Sequence, residues 1–152
     1  MLKPTLKSVG ATEHERYLSK LSERSFFGLW SYPNIYTDEG IGKNGSGREL
    51  CDLLVVFEST VVIFSDKSIA FKEDIDVHTS WKRWFRRSVV KSAKQLYGAE
   101  AWIKQHSNRL YLNKNCTSRL PIEIDPSELK IHLVATTENV KHSAEKYWGG
   151  AS

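Results

Sequence analysis

Two apolar runs decide the fold of this 152-residue chain: Asp52-Leu-Leu-Val-Val-Phe57 and Val61-Val-Ile-Phe-Ser-Asp66-Lys67. Both consist mainly of β-branched or large apolar residues without a polar face, which is typical of strands buried on both sides. Only Glu58-Ser-Thr60 separates them, so a tight turn between two strands is predicted. The charged residues at the ends of these runs need each other, a cation or a solvent-filled cleft. The sequence therefore predicts either a structural ion pair or a functional site there.

The rest of the chain shows helical and strand-like patterns around these two runs. Thr12-Glu-His-Glu15 is a capping box that opens a helix to about Trp30. A longer helix is predicted from Trp81 to about Gln105, with Thr79 or Ser80 as its cap. Further strands are predicted at 34–37, 109–112, 120–124 and 129–136, and a final helix at 139–148. This order predicts an α/β fold with a mixed central sheet.

Length and composition predict one domain. We expect it to span residues 12–148, after an N-terminal arm at 1–11 and before a loose C-terminal end at 149–152. No run of 18 apolar residues occurs, and the N-terminal sequence has no stretch suited to a signal peptide, so a cytoplasmic protein without a membrane partner is expected. The two cysteines, Cys51 and Cys116, suggest neither a disulfide scaffold nor a zinc knuckle.

Positive charge is concentrated in one part of the chain. Between Trp81 and Arg119 there are ten Lys or Arg and one acid. Clustered cations of this kind indicate a nucleic-acid partner, although a solvated helix face is the alternative. Trp81 and Trp84 could stack on bases, but their helical spacing favours the core. The residues predicted to contact nucleic acid are Lys43, Arg48, Arg83, Arg86, Arg87 and Lys94.

Several common sites are excluded. The glycines at 40, 42 and 45 match G-x-G-x-x-G, but they lead into a strand and not into a helix, so nucleotide binding is rejected. No P-loop motif occurs. The five histidines lack paired spacing, which argues against a zinc hydrolase. The glycine-rich loop, which carries Lys43, could instead close over a nucleic-acid backbone.

The order αβββαβ, with Asp52 opening the second strand and Lys67 closing the third, resembles the PD-(D/E)XK nuclease superfamily of restriction-endonuclease-like fold. Glu49-Leu-Cys-Asp52 is similar to the first acidic motif of that superfamily, and Ser65-Asp66-Lys67 lies at the place of its (D/E)-x-K. Gln95 is similar to the helical glutamine of the RecB-like branch. The chain also resembles a bacterial family of uncharacterised proteins through its segments 25–33, 49–57 and 63–67.

The resemblance implies a nuclease that hydrolyses phosphodiester bonds, with DNA as the first expectation and RNA left open. It implies Mg²⁺ or Mn²⁺ held by Asp52 and Asp66. Lys67 would stabilise the transition state, and Gln95 would orient water or substrate. Glu49 and Glu23 are the reserve metal ligands. Homodimerisation is left open.

One departure from the motif matters. In (D/E)-x-K the acid precedes the lysine by two residues and shares its face of the strand, whereas here that position is Ser65 and the acid is adjacent to the lysine. We therefore expect a bend or bulge near 65–67 that brings the carboxylate of Asp66 to within roughly 3–5 Å of Asp52. If no second acid joins Asp52, the alternative is an inactive nuclease-fold module that binds nucleic acid or a protein partner.

Overall fold

The structure is a computed structural model that describes residues 12–26, 30–72, 76–138 and 140–149. Within the first of these ranges, the side chains of His14, Ser22, Glu23, Ser25 and Phe26 fall outside the description. The N-terminal arm predicted at 1–11 and residues 150–152 of the loose C-terminal end also lie outside the described residues.

The described chain forms a mixed α/β structure, as predicted. Its elements are, in order, α1 Glu13–Phe26, β1 Ser31–Thr37, α2 Ile41–Asn44, β2 Arg48–Phe57, β3 Thr60–Lys67, α3 Val77–Phe85, a π-helical turn Arg86–Val90, α4 Lys91–His106, β4 Lys130–Thr137 and α5 Lys141–Trp148. The predicted capping box is present, because the Glu15 amide donates to Thr12 Oγ1 at 3.2 Å and the Thr12 amide donates to Glu15 Oε2 at 3.4 Å.

Four strands form one sheet in the order β1-β2-β3-β4. The pairs β1–β2 and β2–β3 are antiparallel, whereas β3 and β4 are parallel. A parallel pair needs a crossover connection, which α3, the π-helical turn and α4 provide. Strand β1 lies at an edge, where Pro33 is tolerated because its missing N–H removes no bond from a central ladder.

The core lies between the sheet and α4. Leu54 of β2 and Ile63 of β3 are fully buried and belong to one cluster with Leu96, Ala99 and Ile103 of the helix. Burial of each large aliphatic side chain contributes about 1.5–3 kcal/mol, so this layer fixes the helix on the sheet.

The long helix differs from the prediction at its start. It begins at Val77, and its N-cap is Asp76, whose carboxylate accepts a hydrogen bond of 3.0 Å from the Thr79 amide. The predicted caps Thr79 and Ser80 are therefore wrong, because a stronger cap precedes them. The position in the core that the helical spacing favours is confirmed for Trp84, which is buried and whose indole N–H donates to the Ile69 carbonyl at 2.9 Å.

The strands predicted at 109–112 and 120–124 are wrong. The first segment forms only isolated bridges, of Tyr111 with Tyr36 and with Arg119, and the second has no strand pairing. Their apolar side chains, Leu110 and Ile124, are buried in the core cluster. Short apolar runs look alike whether they pair in a sheet or cover its end, so periodicity alone could not separate the two cases.

Candidate functional site

The candidate site lies where β2 and β3 separate. Their pairing ends at Leu53 and Phe64, and the carboxylate of Asp52 lies beyond that last pair. The Asp66 amide donates a hydrogen bond of 2.6 Å to Asp52 Oδ2, and Lys67 Nζ lies 3.8 Å from the same oxygen. The Asp52 side chain is only 13% exposed. The predicted pair of Asp52 and Lys67 is therefore present at the end of the two buried strands.

Asp66 is oriented differently from the prediction. Strand β3 pairs with β4 in unbroken register through Asp66–Thr136 and Lys67–Thr137, so the bulge predicted near 65–67 is wrong. In a regular strand Asp66 points to the face opposite that of Ser65 and Lys67. Its Oδ1 accepts a hydrogen bond of 2.6 Å from Thr136 Oγ1. The structure thus brings the amide of Asp66 to Asp52 and directs its carboxylate to β4.

Ser65 occupies the position of the motif's second acid and is completely buried. Its hydroxyl donates to Gln95 Oε1 at 3.1 Å and forms a hydrogen bond of 3.2 Å with the Ser92 hydroxyl. Gln95 Nε2 in turn donates to the Leu50 carbonyl at 3.4 Å. The predicted glutamine therefore reaches the site, where it ties α4 to the ends of β2 and β3.

A bulge is present, but in β2. Ile35 pairs with Cys51 and the next residue, Tyr36, pairs with Glu49, so Leu50 is the extra residue. Leu50 and Cys51 are both buried, which breaks the alternation and places Glu49 on the same face as Asp52. The bulge thus brings the first reserve ligand to the site.

The pKa values of Asp52 and Glu49 reflect their burial and the charges around them. Burial raises the pKa of Asp52, against the hydrogen bond from the Asp66 amide and the charge of Lys67. Burial, followed by the negative charge of Asp52, raises the pKa of Glu49, although much of that residue is exposed. The charge of Glu15 also raises both values. The charge of Lys67 lowers both values, and that of Lys114 lowers the pKa of Glu49.

Sequence reasoning missed Glu15 and Asn34 as members of this region. The β1–β2 register places Asn34 opposite Asp52, between the pairs Pro33–Leu53 and Ile35–Cys51. Asn34 adopts φ 53°, a left-handed conformation that asparagine tolerates, and its Nδ2 donates to Glu15 Oε2 at 3.0 Å. Its buried Oδ1 has no hydrogen-bond partner among the described residues. The capping box identified Glu15 in the sequence, but only as a helix cap. The side chain of Glu23, the other predicted reserve ligand, lies outside the described residues.

Two depressions extend from the site. The smaller, of about 60 Å³, lies between Gln95 and Glu49. The larger, of about 840 Å³, is open and is lined by Glu49, the glycine-rich loop and three cations, Lys43, Arg48 and Lys114. Glu49 and Arg48 line both depressions. Arg48 also forms an ion pair of 3.0 Å with Glu39. Lys43 and Arg48 thus line the larger depression together with Lys114, which sequence reasoning missed.

The remaining predicted cations lie on the long helix. Arg83, Arg86, Arg87 and Lys94 are all exposed there. Arg83 and Arg87 line a separate cavity beyond the end of β3. The structure therefore divides the predicted nucleic-acid contacts into two groups, one on the glycine-rich loop and one on the helix.

The donor chemistry suits a hard divalent cation. No three Asp, Glu, His or Cys side chains of the described residues lie together as a metal site. Mg²⁺, however, usually takes one or two carboxylates and completes its shell with water and phosphate oxygens. Asp52 and Glu49 fit this pattern, and the unpartnered amide oxygen of Asn34 is a further hard donor nearby.

Comparison with models of protein families, with curated proteins and with solved structures finds no match. Within the described ranges, no helix is long and apolar enough to cross a membrane.

Proposed function

We propose that the protein is a metal-dependent nuclease with a restriction-endonuclease-like core, and that it hydrolyses phosphodiester bonds of DNA. One observation carries the proposal: Asp52, Lys67 and the Ser65–Gln95 pair meet at the end of two buried strands, beside depressions lined by cations. A carboxylate with a raised pKa next to a lysine in a cleft is typical of a reactive site.

Each residue has a distinct task in this proposal. Asp52 and Glu49 would hold Mg²⁺ or Mn²⁺, which when bound supplies charge neutralisation at phosphate and a more acidic water. Lys67 places a positive charge at the site and can stabilise negative charge on the reacting phosphate. Gln95 has both ends of its amide engaged, so it is a positioning residue that fixes Ser65 and the end of β2.

A cleavage assay tests the proposal. We expect DNA cleavage with Mg²⁺ or Mn²⁺ that stops with EDTA. Asp52→Asn should lower the rate by at least ~100-fold, since it removes a ligand at constant side-chain size. Asp66→Asn is the matched control, because its carboxylate is directed to Thr136; it should retain most of the activity. Full activity of Asp52→Asn would refute the proposal.

A second candidate is a catalytically inactive module that keeps the fold and binds nucleic acid. It is favoured by Ser65 in place of the second acid and by the lack of a three-ligand group among the described side chains. The same assay separates the two functions. Salt-dependent binding of nucleic acid without cleavage of DNA or RNA under any of the metal conditions would establish the module.

A further inference from the structure

A cavity of about 190 Å³ lies beyond the end of β3, between residues 69–72 and the long helix. Ile69 and Trp84 form apolar parts of its lining, and the Trp84 indole N–H donates to the Ile69 carbonyl at 2.9 Å. Its polar lining consists of Lys72, Ser80, Arg83 and Arg87. None of the roles proposed above for Asp52, Glu49, Lys67 and Gln95 involves this cavity.

Helix geometry explains why these side chains converge. Arg83 and Trp84 follow Ser80 by three and four residues, and Arg87 follows them by four and three, so these residues lie on one stripe of α3 and the first turn after it. The buried Trp84 anchors the stripe to the chain that leaves β3. The fold therefore presents two guanidinium groups and a hydroxyl on the same side.

The cavity has charge and hydrogen-bonding capacity that the described residues do not satisfy. Three of its lining residues are cations, and none of the described residues that line it is an acid. Among the ion pairs of the described chain, none involves Lys72, Arg83 or Arg87. Ser80 is only 5% exposed, and its Oγ has no partner within the described part. Because an unsatisfied buried polar group costs free energy, the site favours an anion that accepts hydrogen bonds.

We propose that this cavity binds a phosphate group of a nucleic-acid strand. Ser80 Oγ and the two arginines would donate to the phosphate oxygens, and Lys72 would add a point charge. Ile69 follows Lys67 by two residues, a span of at most about 7 Å, so the bound phosphate would lie beside the candidate site. The nucleic-acid source rests on the proposed function; phosphate binding in this cavity does not.

Nuclear magnetic resonance can follow the Trp84 indole N–H directly. The signal would be assigned with Trp84→Phe and followed in EDTA, where a metal-dependent nuclease cannot cut. The probes are inorganic phosphate, a single-stranded oligonucleotide with a 5′-phosphate, and the same oligonucleotide with a 5′-hydroxyl. We expect both phosphate and oligonucleotide to shift the signal. Tighter binding of the oligonucleotide with the 5′-phosphate would show that the cavity takes a terminal phosphate. Equal binding of the two oligonucleotides would show that it takes an internal phosphate. Both results support the proposal.

Variants test which side chains bind. Arg83→Gln and Arg87→Gln should each weaken oligonucleotide binding by about tenfold, as expected for the loss of a charge-assisted hydrogen bond. Ser80→Ala should weaken it by several-fold. Lys82→Gln is the matched control, because Lys82 is exposed on the same helix but does not line the cavity; its effect should stay below about twofold if only general charge is lost.

Three results would overturn the proposal. These are an unchanged Trp84 signal, equal effects of Arg83→Gln and Lys82→Gln, and a Trp84 signal that responds to inorganic phosphate but to neither oligonucleotide. The outcome is independent of catalysis, since all binding is measured in EDTA. If the oligonucleotides bind here but are never cleaved when Mg²⁺ or Mn²⁺ is present, this site stands and only the nuclease proposal is refuted.

Discussion

The backbone amide of Asp66 donates a hydrogen bond of 2.6 Å to Oδ2 of Asp52. The side chain of Asp66 takes no part in this contact and accepts a hydrogen bond from Thr136 on the neighbouring strand. The two acids of the candidate motif thus have different tasks. Asp52 belongs to the site, whereas the Asp66 carboxylate connects β3 to β4.

A double-mutant cycle tests that connection. Asp66→Ala, Thr136→Val and the double variant should show a coupling free energy of about 1–2 kcal/mol in urea unfolding, because the acceptor is a carboxylate. Thr136→Ser keeps the hydroxyl and serves as the control, so it should cost much less than Thr136→Val. A coupling free energy near zero would show that the hydrogen bond does not stabilise the sheet.

The raised pKa of Asp52 has a consequence for stability. Burial is its largest cause, and it means that the folded protein holds the proton more tightly than the unfolded chain. Proton binding at Asp52 therefore contributes to the free energy of unfolding. This contribution is fully present below the pKa of the unfolded chain, near 3.8, and is lost as the pH rises through the raised pKa of the folded state. The ionised Asp52 therefore reduces the stability of the folded protein at neutral pH.

Asp52→Asn should accordingly be more stable than the unsubstituted protein at neutral pH, and this difference should shrink as the pH falls through the raised pKa of the folded state towards 3.8. Urea unfolding across this range measures it. Mg²⁺ provides the control, since it should stabilise the unsubstituted protein more than the variant if Asp52 is a ligand. A variant that is less stable at neutral pH would contradict the assigned direction of the pKa.

Much of this architecture could be predicted from local pattern. The two apolar runs give β2 and β3, and the charged residues at their ends give the contact between Asp52 and Lys67. The capping box gives the start of α1. These features depend on neighbours in sequence, so periodicity and caps reveal them.

The remaining features depend on pairing between distant segments. The bulge at Leu50 exists because β1 and β2 change register there, and the unbroken β3–β4 register keeps Asp66 away from the face of Lys67. A sequence motif can show that an acid is displaced by one residue. It cannot show where a strand contains a bulge or on which face of the sheet the acid lies, because the pairing of the strands decides both.

The open depression beside Glu49 predicts salt-dependent binding. Lys43 and Lys114 line it without an ion pair among the described residues, whereas Arg48 is already paired with Glu39. Lys43→Gln with Lys114→Gln should weaken binding to all sequences alike and flatten the dependence on salt by roughly one unit of slope per lost contact. Arg48→Gln should have a smaller effect.

Fluorescence anisotropy over a range of salt concentrations measures both quantities. Lys130→Gln is the matched control, because Lys130 is an exposed cation on β4 that does not line the depression. An equal loss of affinity and slope in the control would show that the depression merely shares the general positive charge of the protein.

Gly47 provides a test of how this depression is built. Its amide donates to the Lys114 carbonyl at 2.7 Å, so the start of β2 holds the segment that carries this lysine. A Cβ atom at position 47 would overlap the Thr37 carbonyl oxygen and Cys116 Sγ, and would lie 3.1 Å from the Lys114 carbonyl oxygen. Since a backbone oxygen cannot turn away as a side chain can, Gly47→Ala must displace one of these segments.

We expect Gly47→Ala to lower the free energy of unfolding by about 1–3 kcal/mol, as overpacking does, and to weaken nucleic-acid binding by moving Lys114. Gly42→Ala is the matched control. No atom of the described residues lies within 4 Å of a Cβ atom there, and alanine suits the short helix α2, so stability should stay equal or rise slightly. Urea unfolding and anisotropy measure the two effects. If Gly47→Ala kept full stability, the contact between the 114 segment and β2 would not be the one that shapes the depression.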